Sequence, residues 1–90
     1  MKQLKAIFHG YVQGVGFRFL VEKVSRQFYV TGYVRNLIDG TVEMVAEGDD
    51  HELQEFLNAI RHSPLGKNVL DLEAQWGDAT SQWRNFTIKV

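Results

Sequence analysis

The chain contains no cysteine and a single proline, Pro64. The missing cysteines exclude disulfides, thiolate zinc sites and any cysteine nucleophile, and they fit a reducing compartment. A marked excess of charge of one sign is also missing. Lys and Arg number 10 against 11 Asp and Glu, a formal net charge of -1, so a basic surface for nucleic acid is not expected. No apolar run reaches the length of a membrane span, and the opening "MKQLKAIFHG" lacks the apolar core of a secretory signal. There is no fixed-period repeat, low-complexity tract or linker. With 90 residues, the expectation is one domain, 1–90, in a soluble, cytoplasmic, monomeric protein without nucleic-acid or membrane partners.

What the sequence does have is a cluster of three of its eight glycines. "GYVQGVGFR", Gly10 to Arg18, sets three glycines in a short stretch and ends on arginine. Glycine weakens strands and helices, so clustered glycines mark backbone that takes unusual angles or lies close to something. Around this loop the hydrophobic pattern is regular. "QLKAIFHG" alternates as a strand, with Leu4, Ala6 and Phe8 on one face. Phe17, Leu20, Val21, Val24 and Phe28 recur at helical spacing, predicting a helix from about Phe17 to Phe28. "VTGYVRN" and "TVEMVAEG" read as strands joined at the turn dipeptide Asp39-Gly40. A second helix is expected from Asp49, where Asp49 and Glu52 have capping-box spacing, with Leu53, Phe56, Leu57 and Ile60 as its buried stripe. "VLDLEAQW" and "NFTIKV" supply two further strands.

The order β-α-β-β-α-β plus a last strand predicts an α+β, ferredoxin-like sandwich. Its sheet would be mostly antiparallel, with two helices on one face. In such a β-α-β unit the first and second strands are parallel. The loop before Arg18 and the strand end at Asn36 therefore meet at one edge of the sheet.

A loop entering a helix N-terminus presents unpaired N–H groups and the positive end of the helix dipole, which together make an anion site. Glycines at Gly14 and Gly16 let successive amides turn inward, and Arg18 can close over the anion. The competing reading is a tight packing turn with Arg18 on the surface. No Gly-Lys-Ser/Thr follows, and Phe19 stands where a dinucleotide fingerprint needs its third glycine, so neither nucleotide motif fits.

"GYVQGVGFR" followed by "GYVRNLIDGTVEMVAEG" resembles the acylphosphatases, with both signature segments at the family's spacing. The resemblance implies hydrolysis of the carboxyl–phosphate bond of acyl phosphates to carboxylate and inorganic phosphate, by direct attack of water, with no cofactor and no metal. It implies that Arg18 binds the phosphate and that Asn36 positions the water. The loop residues Gln13, Gly14, Val15, Gly16 and Phe17 would complete the phosphate cradle through their amides. Inorganic phosphate is expected as product or inhibitor. The alternative is a non-catalytic anion-binding or regulatory module on the same fold, like the acylphosphatase-like domains of larger proteins. Two departures stand out: "SPLGKNVLDLEAQW" matches loosely, and Tyr29 stands where the family commonly has glycine. At that place, just past the first helix, left-handed backbone angles are expected for Tyr29.

The residue types agree with this chemistry. Asn36 is an amide and takes up no proton near neutrality, so it can only orient water. No general acid is evident, and a carboxylate leaving group, whose conjugate acid has a pKa of about 4, needs none. The histidines His9, His51 and His62 are scattered, and Asp49, Asp50 and Glu52 are better explained by a helix N-terminus than by a metal. Asp39 reads as a turn residue. Arg35 has the opposite strand parity to Asn36 and should face away from it.

Overall fold

A computed structural model describes residues 1–90. Strand β1 (Lys2–Gly10) leads through the glycine loop into helix α1 (Phe17–Ser25). Strands β2 (Thr31–Asn36) and β3 (Val42–Gly48) form a hairpin, followed by helix α2 (Asp50–Arg61). A short 3-10 turn (Gly66–Asn68), not foreseen from the sequence, precedes β4 (Val69–Asp78) and β5 (Phe86–Ile88). The five strands lie in the order β4-β1-β3-β2-β5. All neighbours are antiparallel except the β2–β5 pair. This is the ferredoxin-like α+β arrangement read from the sequence. No helix is long and apolar enough to cross a membrane.

Alternation sets the layers. Leu4, Ala6 and Phe8 of β1, Val34 of β2 and Val42, Met44 and Ala46 of β3 point to one face. There they meet Leu53, Phe56 and Ile60 of α2 and Phe17 and Val21 of α1 in a single buried cluster. The Phe8 and Phe17 rings meet edge to face with centroids 5.1 Å apart, a contact worth about 0.5–1.5 kcal/mol beyond the area it buries. That contact anchors the end of the glycine loop in the core.

The opposite face of the sheet carries polar groups that are satisfied within the protein. Glu43, only 5% exposed, accepts from Tyr33 Oη at 3.0 Å and Arg35 Nε at 2.7 Å and pairs with Lys5 at 3.5 Å. Burial alone would push the Glu43 carboxyl up. The hydrogen bonds from Tyr33 and Arg35, with the charges of Arg35 and Lys5, outweigh burial and hold it below its usual range. Burial, followed by the bond to Glu43, pushes the Tyr33 phenol up. Glu47 accepts from Gln3 Nε2, from Thr80 N and Oγ1 and from Ser81 N. It thereby ties the segment between β4 and β5 to the central strand, and these bonds hold its carboxyl low against the opposing effect of burial.

Two local expectations are corrected. Helix α1 stops at Ser25 rather than Phe28. The chain leaves it through tighter bonds three residues apart, Arg26 N to Lys23 O, Gln27 N to Val24 O and Phe28 N to Ser25 O. Tyr29 does not take left-handed angles; Ser81, with φ 58°, is the only non-glycine residue that does. The tighter exit removes the need for a left-handed residue. Tyr29 N–H instead donates to Glu52 Oε1 of α2 at 2.8 Å. That bond also undoes the capping box, since Asp49 occupies the N-cap without a side-chain hydrogen bond and Glu52 is committed to the other helix's exit.

Candidate active site

The β1–β3 and β3–β2 registers place Phe8 and Asn36 on either side of Val42. The ends of β1 and β2 therefore lie at one edge of the sheet, as the topology predicted. Val12, Gly14, Gly16, Phe17, Arg18, Phe19 and Asn36 line a hollow of ≈ 240 Å³ at this edge. The site residues Gly14, Gly16, Phe17, Arg18 and Asn36 are thus brought together. The other two loop residues differ. Val15 stands 43% exposed at the surface, and the Gln13 side chain turns toward the β2–β3 hairpin.

The loop takes its shape from two glycines. Gly14 and Gly16 have φ of 76° and 85°. A Cβ on either would meet nothing within 4 Å, so the requirement is for the angle and not for space. Gly16 is the N-cap of α1 and has no side chain to cap the helix. The amides of Gly14 through Phe19 consequently donate to no acceptor in the protein, and the first helical bond on this side runs from Leu20 N to Gly16 O at 3.0 Å.

The side chains complete an electropositive and otherwise unoccupied set of partners. Arg18 is absent from all five ion pairs of the molecule, and no carboxylate lines the hollow. Asn36 Oδ1 is buried without any hydrogen-bond partner, an arrangement that costs roughly 1–3 kcal/mol and calls for an explanation. Unbonded amides, a helix N-terminus and a free guanidinium suit a phosphate-like anion. Wider depressions exist elsewhere, of ≈ 460 Å³ with Lys5, Glu43 and Glu73, of ≈ 360 Å³ with Arg61 and Asp71, and of ≈ 280 Å³ with Lys2, Asp50 and Asp78. In each of them a carboxylate accompanies the cation, whereas the hollow at the glycine loop has a cation and no carboxylate.

Residues weighed as rivals lie elsewhere. Arg35 is engaged by Glu43 on the opposite face, as its parity predicted. His9 pairs with Glu73, and neither lines the hollow. Asp39 is a turn residue, its Oδ1 accepting from Thr41 N at 3.0 Å and Oγ1 at 2.6 Å. Those bonds hold its carboxyl below its usual range. No three His, Asp or Glu side chains come together as a metal-holding group.

One contributor was missed. Gln13 enters the sequence reading only through its amide, yet its Nε2 donates to Leu37 O at 2.7 Å and to Thr41 O at 2.8 Å. Leu37 N also donates to Thr41 O at 2.9 Å. Gln13 thus links the glycine loop to the turn that follows Asn36. A polar residue among glycines was the available signal, but its partners are far away in sequence.

A β-sheet edge offering loop amides, a helix start, one free arginine and one buried amide oxygen, on a small ferredoxin-like α+β fold, has the donors that hold a small anion. The family model described as Acylphosphatase matches residues 4–88. An acylphosphatase of Dehalococcoides mccartyi is 43% identical over 90 residues, 99% of both chains. One of Thermotoga maritima is 40% identical over 90 residues, 99% of this chain and 98% of the other. The crystal structure of acylphosphatase from Bacillus subtilis superposes over 100% of both chains with a TM-score of 0.91 at 35% identity. The chain belongs to the acylphosphatase family and is a hydrolase of that kind.

Proposed function

We propose that the chain hydrolyses acyl phosphates by direct in-line attack of water on phosphorus, with the phosphoryl group seated in the glycine loop. The amides from Gly14 to Phe19 and the Arg18 guanidinium hold its equatorial oxygens. They strengthen their hold as charge spreads over those oxygens in the transition state. Asn36 Oδ1 accepts one hydrogen bond from the attacking water, which leaves the water's lone pair directed at phosphorus. As the new P–O bond forms, the water's remaining proton passes to a phosphoryl oxygen, and the P–O bond to the acyl group breaks with its electron pair leaving on the carboxylate, giving carboxylate and dihydrogen phosphate.

The observation that carries this reading is the buried, unpartnered Asn36 Oδ1 in the same hollow as an arginine that has no carboxylate. The amide oxygen can accept a hydrogen bond but cannot serve as a base. None of the hollow's lining side chains is a general acid, so the leaving group must depart as a stable anion. A carboxylate does so and an alkoxide does not.

Turnover of benzoyl phosphate tests the reading, with glucose 6-phosphate as the unactivated comparison. Hydrolysis of the first, inhibited by inorganic phosphate and with the second left intact, is the expected result. Binding of phosphate without turnover would favour a non-catalytic anion module, and comparable rates on both would reveal a proton donor outside the assigned set.

A further inference from the structure

Three apolar residues line the hollow, and two of them, Val12 and Phe17, are each 1% exposed and belong to the core. The third, Phe19, is 67% exposed. It sits in the first turn of α1, off the stripe that buries Phe17, Val21 and Ser25, so the fold has no packing use for its ring. It also adjoins Arg18, where a phenyl ring in water contributes nothing to anion binding. Val15, also exposed, stands between the two lining glycines.

We infer that Phe19 is the surface on which the acyl group of the substrate rests, and that it selects acyl phosphates with an aromatic or extended apolar acyl part over small ones. This rests on the proposed acyl-phosphate hydrolysis. In-line displacement puts the leaving carboxylate on the side of phosphorus away from the attacking water. The water's acceptor, Asn36 Oδ1, lies buried inside, while Phe19 stands at the solvent side. The acyl part therefore leaves the hollow past the phenyl ring, where an apolar group removes water from both surfaces and a second ring can pack edge to face. An acetyl group is too short to cover the ring.

The test compares the ratio of kcat/KM for benzoyl phosphate to that for acetyl phosphate in the parent and in Phe19→Ala. The intrinsic reactivities of the two substrates cancel in that comparison. The ratio should fall roughly threefold to tenfold, the worth of one aromatic contact, chiefly through a higher KM for benzoyl phosphate. Phe19→Leu should fall between the two, and inhibition by inorganic phosphate should report that the seat is intact. Thermal melting of each variant checks the fold, which an exposed ring does not support. An unchanged ratio in Phe19→Ala overturns the assignment while leaving acyl-phosphate hydrolysis standing. A parent that hydrolyses neither substrate overturns both.

Discussion

Gln13 Nε2 donates to the carbonyl oxygen of Thr41 at 2.8 Å, and through it the loop after β1 is tied to the turn after β2. On the proposed mechanism the loop holds the phosphate and β2 ends in the asparagine that orients the water. Removing the tie in Gln13→Ala should cost about 1–2 kcal/mol of stability for the two bonds lost. It should cost turnover on the order of tenfold or more, because seat and water are no longer held in register. Gln13→Glu has the same shape but points oxygens at two carbonyls and should be worse on both counts. Urea unfolding and steady-state kinetics on benzoyl phosphate check this. An Ala variant with parental turnover would make the tie purely structural.

Arg18→Ala should lower kcat/KM a hundredfold or more, the usual order for losing a single preorganised electrostatic contact to the transition state. Inorganic phosphate should also cease to inhibit. Arg18→Lys should recover part of the binding and little of the rate, since a point charge replaces a planar fork. Retained phosphate inhibition in the Ala variant would move the anion seat elsewhere.

Asn36→Ala should separate rate from binding and from stability. Turnover should collapse while phosphate inhibition stays within a few-fold, on the order expected for a group that acts on the water alone. The variant should melt no lower than the parent, because it removes a buried acceptor that has no partner. Parallel loss of phosphate affinity would make Asn36 a ligand of the phosphate instead.

Glu47 and Glu43 should contribute to the acid limit of the fold. Both carboxyls are held below their unfolded values. The unfolded chain therefore binds more protons in the acid range, and the stabilisation present at neutral pH is lost as pH falls through the folded values. Unfolding midpoints should begin to drop as pH falls toward and below about 4.3, the ordinary glutamate value, and Glu47→Gln should flatten that slope while lowering stability at neutral pH. An unchanged slope in the variant would place the acid limit in other groups.

Tyr29→Gly should destabilise the protein by about 0.5–1 kcal/mol, because Tyr29 has ordinary angles and glycine adds only unfolded-state freedom. Turnover should be unaffected, since the substitution lies at the far end of α1 from the hollow. A higher melting temperature would mean that the backbone is strained there after all.

Much of this was legible in the sequence because it depends on short-range pattern. Strand alternation placed Leu4, Ala6 and Phe8 on the core face and separated Asn36 from Arg35. The β-α-β order brought Arg18 and Asn36 to one sheet edge. The loop glycines announced the angles they take. What stayed hidden depends on pairs distant in the chain. Gln13 reaches Leu37 and Thr41, Glu52 receives the Tyr29 amide, and Glu47 gathers Thr80 and Ser81. Each of these polar side chains has several local uses, and only the packed sheet and helices select the remote one. The capping-box expectation at Asp49 failed for that reason, since Glu52 accepts from the Tyr29 amide in the chain leaving the other helix.

Strand β3 runs between β1 and β2, so the two strands whose ends frame the hollow never touch each other. A fragment from β1 to β2 contains Arg18 and Asn36 but not the strand that sets their spacing. Helix α1 can form early from local contacts, whereas β1 pairs with β3 only after the whole intervening chain has closed into a loop, a slow step governed by topology. During refolding, returning turnover therefore times the completion of the central three strands, and helical signal that precedes it marks chains in which the site does not yet exist.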